Sequence, residues 1–186
     1  ISVKRVRLDQ IDLSGVSKTA GDLNISGLDT AIQKATLAMV DEAYRLEPDR
    51  QRIMFLPGVP SAELAYHRWN ELAPGSTIFV HHKTEALERK RLIRDFRAGL
   101  YPGLVNVGIA VEGFDAPAVS NIVMGRPTLS RSLCTQMIGR GTRVIHSAIA
   151  NVPERHQAEL RKAAIAASSK PTCVITDFSG NTGKHE

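Results

Sequence analysis

The clearest signal in this chain is Gln136-Met137-Ile138-Gly139-Arg140-Gly141-Thr142-Arg143, which places one amide and two guanidinium groups at spacings of four and three residues. On a helix, these spacings bring the three side chains onto one face. A guanidinium is a rigid fork of N–H donors, and two of them one turn apart can hold a transferring phosphoryl group. A solvated basic helix end, which the helix dipole favours, would have the same sequence. The run alone therefore leaves both interpretations open.

A second pattern lies upstream, in Leu104-Val105-Asn106-Val107-Gly108-Ile109-Ala110-Val111-Glu112-Gly113-Phe114-Asp115-Ala116-Pro117. It begins as a buried strand and ends in a turn that carries acidic residues, a glycine and a proline. Asp115 offers a carboxylate that can accept from a ribose hydroxyl or orient an arginine. An apolar strand, Asn121–Met124, follows. Arg126-Pro127-Thr128-Leu129-Ser130 then leads into the helix of the arginines, with Ser130 as its predicted N-cap.

Short apolar strands alternate with helices along the chain. Strands are predicted over Arg52–Leu56 and Thr77–Val80, and helices over residues 30–46, 61–72 and 83–98. Asp29-Thr30 supplies the cap signal for the first of these helices. The alternation predicts an α/β fold with a mostly parallel sheet covered by helices on both faces, and with ligands at the carboxyl ends of the strands.

The sequence also predicts which side of the third helix is buried, and it predicts one further helix. The helix over residues 83–98 has a mostly basic outer face, and its core-facing residues are predicted to be Leu87, Ile93, Phe96 and Leu100. An alanine-rich helix from about residue 153 precedes the last predicted strand, residues 172–177. The function of the segment 146–169 is not readable from its residues.

The order of these elements resembles motifs V and VI of superfamily 2 (DEAD/DEAH) helicases. Along the chain they are a strand, Glu-Gly-Phe-Asp-Ala-Pro, a second strand, Arg-Pro-Thr, a helix and Gln-x-x-Gly-Arg-x-x-Arg. The chain looks most similar to the DExH-type members, which include restriction-enzyme motor subunits and phage and repair helicases. The similarity extends from Ile53 to the closing Asp177-Phe178-Ser179-Gly180-Asn181-Thr182-Gly183-Lys184-His185. It implies a three-layer RecA-like fold, with a helicase C-terminal domain over residues 29–186 and a connector or edge element over residues 1–28.

The resemblance implies a nucleotide site shared between two motor domains. Arg143 would be the arginine finger on the γ-phosphate, Arg140 a second phosphate contact, and Gln136 would help to position the nucleotide. Gly113 and Asp115 match family positions near the nucleotide. Arg143 and Arg140 are thus the predicted catalytic residues.

The resemblance also implies contacts to the nucleic-acid backbone from three strand ends. Val107 and Gly108 would face phosphates in motif V, although many relatives carry threonine where this chain has Val107, so a hydroxyl contact is lost. Further predicted contacts come from the motif IV region and from the loop after the next strand: Gly58, Val59, His82 and Lys83. Ordinary turn chemistry at strand ends is the simpler explanation of these last four residues.

The phosphate-binding loop of a motor is not recognisable in this sequence. Ser17-Lys18-Thr19 lacks the leading glycines of G-x-x-x-x-G-K-[ST], and Gly183-Lys184 is followed by histidine. Asp41-Glu42 mimics a magnesium-binding pair, but the surrounding apolar residues recur at helical spacing and predict a surface-packed helix. We therefore expect ATP and Mg²⁺ to be held mainly by an N-terminal motor domain that this chain lacks, and no metal site here.

Composition sets broad limits. The 186 residues are 42% hydrophobic, which suits one core, and the net charge of +5 is compatible with a polyanionic partner. We expect DNA, with RNA as the alternative, and the N-terminal RecA-like domain of the same protein as partners. No membrane span or signal peptide is evident, so we expect a soluble cytoplasmic protein without a membrane partner. The start at Ile1 suggests a piece of a longer protein.

Cysteine and histidine usage favours neither a disulfide nor a zinc site. Cys134 and Cys173 are far apart in apolar surroundings and are predicted to be reduced, buried thiols. His81-His82 has no companion ligands at usable spacing.

Three classes of function remain open. The first is the second motor domain of an ATP-dependent helicase or translocase, inactive by itself in hydrolysis. The second is a non-catalytic RecA-like module that binds nucleic acid or protein. The third, a small-molecule enzyme on a doubly wound fold, lacks a glycine-rich dinucleotide loop and a recognisable nucleophile arrangement. The pair of arginines beside an aspartate-containing turn favours the first class.

Overall fold

Six parallel strands form the main sheet of the computed structural model, which describes residues 1–108, 114–152 and 157–185. Their order across the sheet is β1 (Ser2–Arg5), β8 (Val174–Asp177), β7 (Asn121–Met124), β4 (Arg52–Leu56), β6 (Gly103–Val107) and β5 (Thr77–Val80). Two further short strands, β2 (Lys18–Thr19) and β3 (Asp22–Leu23), form an antiparallel hairpin. The α-helices of the described residues are α1 (Ile25–Leu46), α2 (Val59–Leu72), α3 (Ala86–Arg97), α4 (Arg131–Gly139), α5 (Ala158–Ala166) and α6 (Asn181–Lys184).

Helices cover both faces of the sheet. In the central strand β4, Ile53 and Phe55 pack into a core with residues of α3 and α4, while Met54 and Leu56 pack into a second core with residues of α1 and α2. Side chains alternate in this way because successive residues of a strand point to opposite faces. Every residue of β4 is buried, as expected for a strand covered on both sides. The predicted three-layer α/β fold is confirmed.

Helix α1 begins five residues earlier than predicted, at Ile25 instead of Thr30. Its N-cap is Asn24, whose side chain accepts from the Gly27 N–H at 3.1 Å. Asp29, the predicted cap signal, is instead a buried residue inside the helix, and its carboxylate accepts from the Ser61 hydroxyl at 2.5 Å. The expected domain boundary between residues 28 and 29 therefore falls within α1.

The predicted acidic pair lies on the surface of α1, as expected. Asp41 accepts from Arg68 of α2 at 2.7 Å, and Glu42 pairs with Arg45 at 2.6 Å. Within the residues that the structure describes, no helix joins the length and the apolar character that a membrane crossing requires.

The N-terminal segment contacts both the sheet and the loop that precedes α4. Strand β1 pairs with β8 at the edge of the sheet. At the hairpin, the Asp22 carboxylate accepts from the Thr128 hydroxyl and the Leu129 N–H, both at 2.7 Å. These two bonds connect the hairpin to the loop that precedes α4.

The core prediction for α3 is correct for two residues and wrong for two. Ile93 and Phe96 are buried, whereas Leu87 and Leu100 are 75% and 67% exposed. Leu87 lies in the first turn of a helix that begins later than predicted, at Ala86 with Glu85 as its cap. Leu100 lies beyond the end of the helix, after Gly99 reverses the chain at a φ of 80°. The helix predicted from residue 153 is seen from Ala158 onward, and residues 153–156 lie outside the described part of the chain.

The carboxyl end of β8 is stabilised by a buried carboxylate. Asp177 accepts four hydrogen bonds: from the Ser179 N–H and hydroxyl at 2.9 and 2.7 Å, and from the Thr182 N–H and hydroxyl at 2.8 and 2.7 Å. Burial raises the pKa of Asp177, but these hydrogen bonds outweigh burial and hold its pKa below the usual value. The carboxylate therefore stays ionised and organises the turn before α6.

Replacing Asp177 with alanine is expected to lower the free energy of unfolding by about 2–4 kcal/mol, because four donors lose a charged acceptor. The folded-state pKa is lowered, so this stabilisation is complete above the pKa of an unfolded aspartate and is lost as the pH falls through the folded-state value. Urea denaturation at neutral and acidic pH measures both effects. The control is Asp9→Ala, whose side chain is 97% exposed. Equal losses in the two variants would contradict the assignment.

Candidate nucleotide and nucleic-acid sites

Of the nucleotide contacts predicted for motif VI, Gln136 lies in helix α4 and the two arginines lie after it. Ser130 is its N-cap, as predicted, and its hydroxyl accepts from the Leu133 N–H at 3.2 Å. The helix ends at Gly139, so Arg140 is the C-cap and Arg143 lies in the irregular chain beyond. The prediction that Gln136, Arg140 and Arg143 share one helical face is therefore wrong. The cause is the glycine on either side of Arg140, since glycine is a poor helix former.

The chain after α4 is held tightly against the sheet. A Cβ added to Gly141 would lie 2.5 Å from the Cys173 Sγ and 2.6 Å from the Ile122 Cγ1. The Lys170 ammonium group donates to the carbonyl oxygens of Arg143 at 2.7 Å and of Pro117 at 2.6 Å. Ile122 is near the start of β7 and Cys173 precedes β8, so both arginines lie at the amino ends of these strands. The sequence predicts ligands at the carboxyl ends of the strands, whereas the two arginines lie at the amino ends.

The two arginines contact the end of the motif V turn. Arg140 Nη1 donates to the Phe114 carbonyl oxygen at 2.7 Å, and its Cζ lies 5.8 Å from the centre of the Phe114 ring. Arg143 Nη1 forms an ion pair with Asp115 Oδ1 at 2.5 Å. Burial lowers the pKa of Arg140, the charge of Arg143 lowers it further, and Asp115 raises it. Gly113, the other motif V residue predicted to approach the nucleotide, lies outside the described residues.

A cavity of about 340 Å³ opens beside this ion pair. Its lining is Asp115, Pro117, Arg143, Val144, His146 and Ile149. Gln136 is not part of the lining; it is exposed, and its amide makes one long contact of 3.5 Å with the Ser132 hydroxyl. The cavity thus brings Asp115 and Arg143 together with His146, which the sequence reasoning missed, and leaves Gln136 apart.

Lys170 is also not identified from the sequence, because its contact with the backbone of Arg143 forms only when the chain folds. It is buried, its pKa is lowered by burial, and it fixes the backbone of Arg143 from 27 residues away. No local sequence pattern indicates this contact. His146, three residues after Arg143, could have been noticed as a polar group following the motif.

The predicted nucleic-acid contacts lie in a row at the carboxyl ends of the strands, opposite to the two arginines. We call this side of the sheet, where the strands end, its carboxyl edge. Strands β4, β6 and β5 are neighbours, and Gly58, Gly108 and His82-Lys83 follow their carboxyl ends. Gly108 has a φ of 82°, a conformation that favours glycine, and its carbonyl oxygen accepts from the Asn106 side chain at 2.5 Å. Val107 is half-buried, while His82 and Lys83 are exposed.

The start of α2 offers fewer free donors than expected. The Ser61 N–H lies 3.4 Å from Asp29 Oδ1, and Pro60 has no N–H, so only Gly58 and Val59 remain as candidates in this turn. A Cβ on Gly58 would lie 2.5 Å from the Asp29 carboxylate carbon, so the glycine is required for packing in any case. The carboxylate makes this turn less favourable for a phosphate.

Within residues 1–108, 114–152 and 157–185, no group of three or more histidine, cysteine, aspartate or glutamate side chains is placed to hold a metal ion. Cys134 and Cys173 are buried free thiols, as predicted. The site at the amino ends of β7 and β8 can bind an anion through two guanidinium groups. That of Arg140 is fixed, and that of Arg143 is half-exposed.

The fold is that of a RecA-like domain, as shown by its similarity to a fragment of an HsdR subunit of a type I restriction enzyme from Vibrio vulnificus. The TM-score is 0.69 at 18% identity, over 100% of this chain and 33% of that one. Residues 35–145 match the family model of the helicase conserved C-terminal domain. This chain belongs to that family, and the resemblance to superfamily 2 helicases is confirmed.

Two curated relatives are similar to most of this chain. The putative ATP-dependent helicase IRC3 of Saccharomyces cerevisiae is 34% identical over 142 residues, which are 74% of this chain and 21% of IRC3. A 51.5 kDa protein of a Lactococcus phage is 30% identical over 139 residues, 75% of this chain and 31% of the phage protein. The chain thus spans between a fifth and a third of the length of these two relatives.

The two glycines that flank Arg140 provide a matched test of how tightly the chain after α4 packs on the sheet. Gly141→Ala is expected to lower the free energy of unfolding by about 1–3 kcal/mol, because its new methyl group overlaps Cys173 and Ile122. Gly139→Ala should be neutral or stabilising, because nothing lies within 4 Å of the position that its Cβ would take and alanine favours a helix. Thermal denaturation of both variants provides the measurement. A stable Gly141→Ala protein would show that the chain after α4 is not pressed against the sheet.

Proposed function

We propose that this chain is the second motor domain of an ATP-dependent DNA helicase or translocase, with Arg143 as its arginine finger. The observation that carries the proposal is the joining of motifs V and VI around one cavity, through the Arg140–Phe114 hydrogen bond and the Arg143–Asp115 ion pair. ATP and Mg²⁺ would be held mainly by a first motor domain. Arg143, Arg140, Asp115 and Gly113 would face the nucleotide from this domain, and Gln136 would approach it only if domain closure brings it nearer.

The two arginines differ in how freely they can meet a phosphate. The side chains of Arg143 and Asp115 are 43% and 42% exposed, and an exposed ion pair of this kind is worth only about 0.2–1 kcal/mol. The paired oxygen, Asp115 Oδ1, is itself buried and makes no hydrogen bond within the described residues, so exchanging Asp115 for phosphoryl oxygens has a modest cost. Arg140 is more deeply placed and is held by the Phe114 carbonyl, so it would provide a fixed positive charge behind the finger.

An arginine supplied from a second domain couples hydrolysis to movement. Arg143 would stabilise negative charge that spreads over the phosphoryl oxygens, an effect on the order of 10³-fold in rate or more. It acts only when the domains are closed. Loss of the terminal phosphate removes what the arginine binds, so the domains can then separate. Asp115 would then form its ion pair with Arg143 again, as in the present structure.

The row at the carboxyl edge would contact the nucleic-acid backbone. Gly108 and Val107 would offer backbone N–H groups, and the exposed His82 and Lys83 would add donors and charge. Val59 and Gly58 would contribute least, because Asp29 is close to them. DNA is the proposed substrate, with RNA as the alternative, and the first motor domain is the proposed protein partner.

The competing function is a RecA-like module that binds nucleic acid or protein without catalysis. One observation favours it: Arg143 already has a carboxylate partner within its own domain. Under this alternative the Arg143–Asp115 pair would be a permanent structural contact, and ATP turnover would not depend on Arg143.

In a protein that carries this chain together with the first motor domain, Arg143→Ala is expected to lower the turnover number for ATP hydrolysis by on the order of 10³-fold. Nucleic-acid affinity should be largely unchanged, because Arg143 lies at the other edge of the sheet. Steady-state ATPase assays and fluorescence anisotropy with labelled DNA measure the two quantities. Arg7→Ala, at a side chain that is 95% exposed, is the charge-matched control. Unchanged turnover in Arg143→Ala would reject the motor function in favour of the binding module.

The isolated chain is expected to show no ATPase activity and to bind DNA weakly, with an affinity that falls steeply as salt is added. Its own acidic pair, Asp41-Glu42, is engaged by Arg68 and Arg45 on the surface of α1. Phosphate-release assays and DNA titrations at several salt concentrations test this. Robust hydrolysis by the isolated chain would contradict the division of the site between two domains.

A further inference from the structure

Arg126 is a guanidinium group at the carboxyl edge of the sheet to which no role has been assigned. It follows Gly125, the first residue after β7, and its backbone is firmly held. Its carbonyl oxygen accepts from the Asn181 side chain at 2.8 Å, and the same side chain accepts from the Thr128 N–H at 3.0 Å. The rigid ring of Pro127 lies between these two contacts. The structure therefore fixes where the Arg126 side chain begins.

The Arg126 side chain is partly buried, and within the described residues it has neither a hydrogen bond nor an ion pair. Its Nε is fully buried and has no hydrogen-bond partner. The charge that acts on it is Asp22, but that carboxylate already accepts from the Leu129 N–H, the Thr128 hydroxyl and the Leu23 N–H. Burial lowers the pKa of Arg126, and Asp22 raises it. The group stays charged, and no side chain or carbonyl of the described residues accepts a hydrogen bond from it.

A partly buried charge without a hydrogen-bonded partner is unfavourable, so a protein gains stability when an anion reaches it. The planar fork of arginine matches two oxygens of one phosphate group. Nε is the one nitrogen of the Arg126 side chain that is both enclosed and unpartnered, so the outer nitrogens Nη1 and Nη2 remain open to a ligand. These properties point to an oxyanion that arrives from outside the described chain.

The position of Arg126 in the sheet indicates which anion it would bind. Strand β7 is the neighbour of β4, and the Gly125 N–H donates to the Phe55 carbonyl oxygen at 3.0 Å, so the two strand ends lie side by side. Neighbouring strands are about 4.8 Å apart. Arg126 therefore continues the row formed by Gly58, Gly108 and His82-Lys83 by one strand. It lies at the edge opposite to Arg143, which excludes the γ-phosphate as its partner.

We propose that Arg126 binds a phosphate of the nucleic-acid backbone and extends the contact row to four neighbouring strands, β7, β4, β6 and β5. The inference rests on the proposed nucleic-acid function of this edge. It adds the one member of the row that can bind phosphate bidentately, because the others offer backbone N–H groups, an imidazole or an ammonium group.

The test compares Arg126→Met with the unsubstituted protein, in the protein that carries both motor domains. The probe is a fluorescent oligothymidine, titrated at several salt concentrations. Loss of one phosphate contact should reduce the slope of log affinity against log salt by about 0.7 and weaken binding up to about tenfold at low salt. Methionine keeps the apolar stem and removes the unpaired charge, so the melting temperature should be equal or higher. Weaker binding without loss of stability separates a phosphate contact from a structural role.

Arg45→Ala is the matched control, because it removes one positive charge at the opposite edge of the sheet, where α1 ends before β4. Its side chain is 69% exposed and paired with Glu42, and the salt dependence should not change. An unchanged slope and affinity in Arg126→Met would overturn the inference. So would a fall in ATP turnover with an unchanged slope, since Arg126 would then pair with an acidic group of the first motor domain. Absence of salt-dependent binding in the unsubstituted protein would instead overturn the proposed function itself.

Discussion

The contact of Gly141 with Ile122 and Cys173 is the constraint on which the nucleotide site depends. Any side chain at this position would push the chain away from the sheet, because the space available is smaller than a methyl group. Arg140 and Arg143 stand on either side of this glycine. Once the backbone is pressed onto the sheet, Arg140 meets the Phe114 carbonyl and Arg143 meets Asp115. A feature of packing therefore determines where two charged groups are presented.

The two candidate sites lie at opposite ends of the strands, so the length of the strands separates them. The arginines lie at the amino ends of β7 and β8, while the row that includes Gly108 lies at the carboxyl ends of β4, β6 and β5. The sheet between them is buried on both faces and has little freedom to deform. Under the proposed function, such a domain would move as a rigid unit between a nucleotide at one edge and a nucleic acid at the other.

Much of the fold could be predicted because its signals are local. Strands β4, β5 and β7 are short apolar runs, and the serine before α4 caps it as predicted. The errors came from contacts between distant residues. Asp29 looks like a helix cap in the sequence, yet in the structure it is buried against Ser61 of another helix. Leu87 has helical spacing with the core residues but lies in the first turn, where the helix leaves the core.

The candidate site could be predicted only in part, for the same reason. The sequence leaves two roles open for the Asp115 carboxylate, a ribose hydroxyl or an arginine, and the structure pairs it with Arg143. The shared helical face of Gln136 and the arginines was wrong, because the helix ends at Gly139. The support of Arg143 by Lys170 depends on two segments that meet only after folding. Sequence patterns identify the chemical groups, but distant contacts decide their positions.

The central claim is that Arg143 leaves Asp115 to complete an ATP site on another domain. A crystal structure of the protein with both motor domains, bound to ADP and aluminium fluoride, tests this most directly. The Arg143 guanidinium is expected within hydrogen-bond distance of the fluoride that mimics the γ-phosphate, with Arg140 still bound to the Phe114 carbonyl. An analogue bound between closed domains, while Arg143 remains paired with Asp115, would contradict the claim.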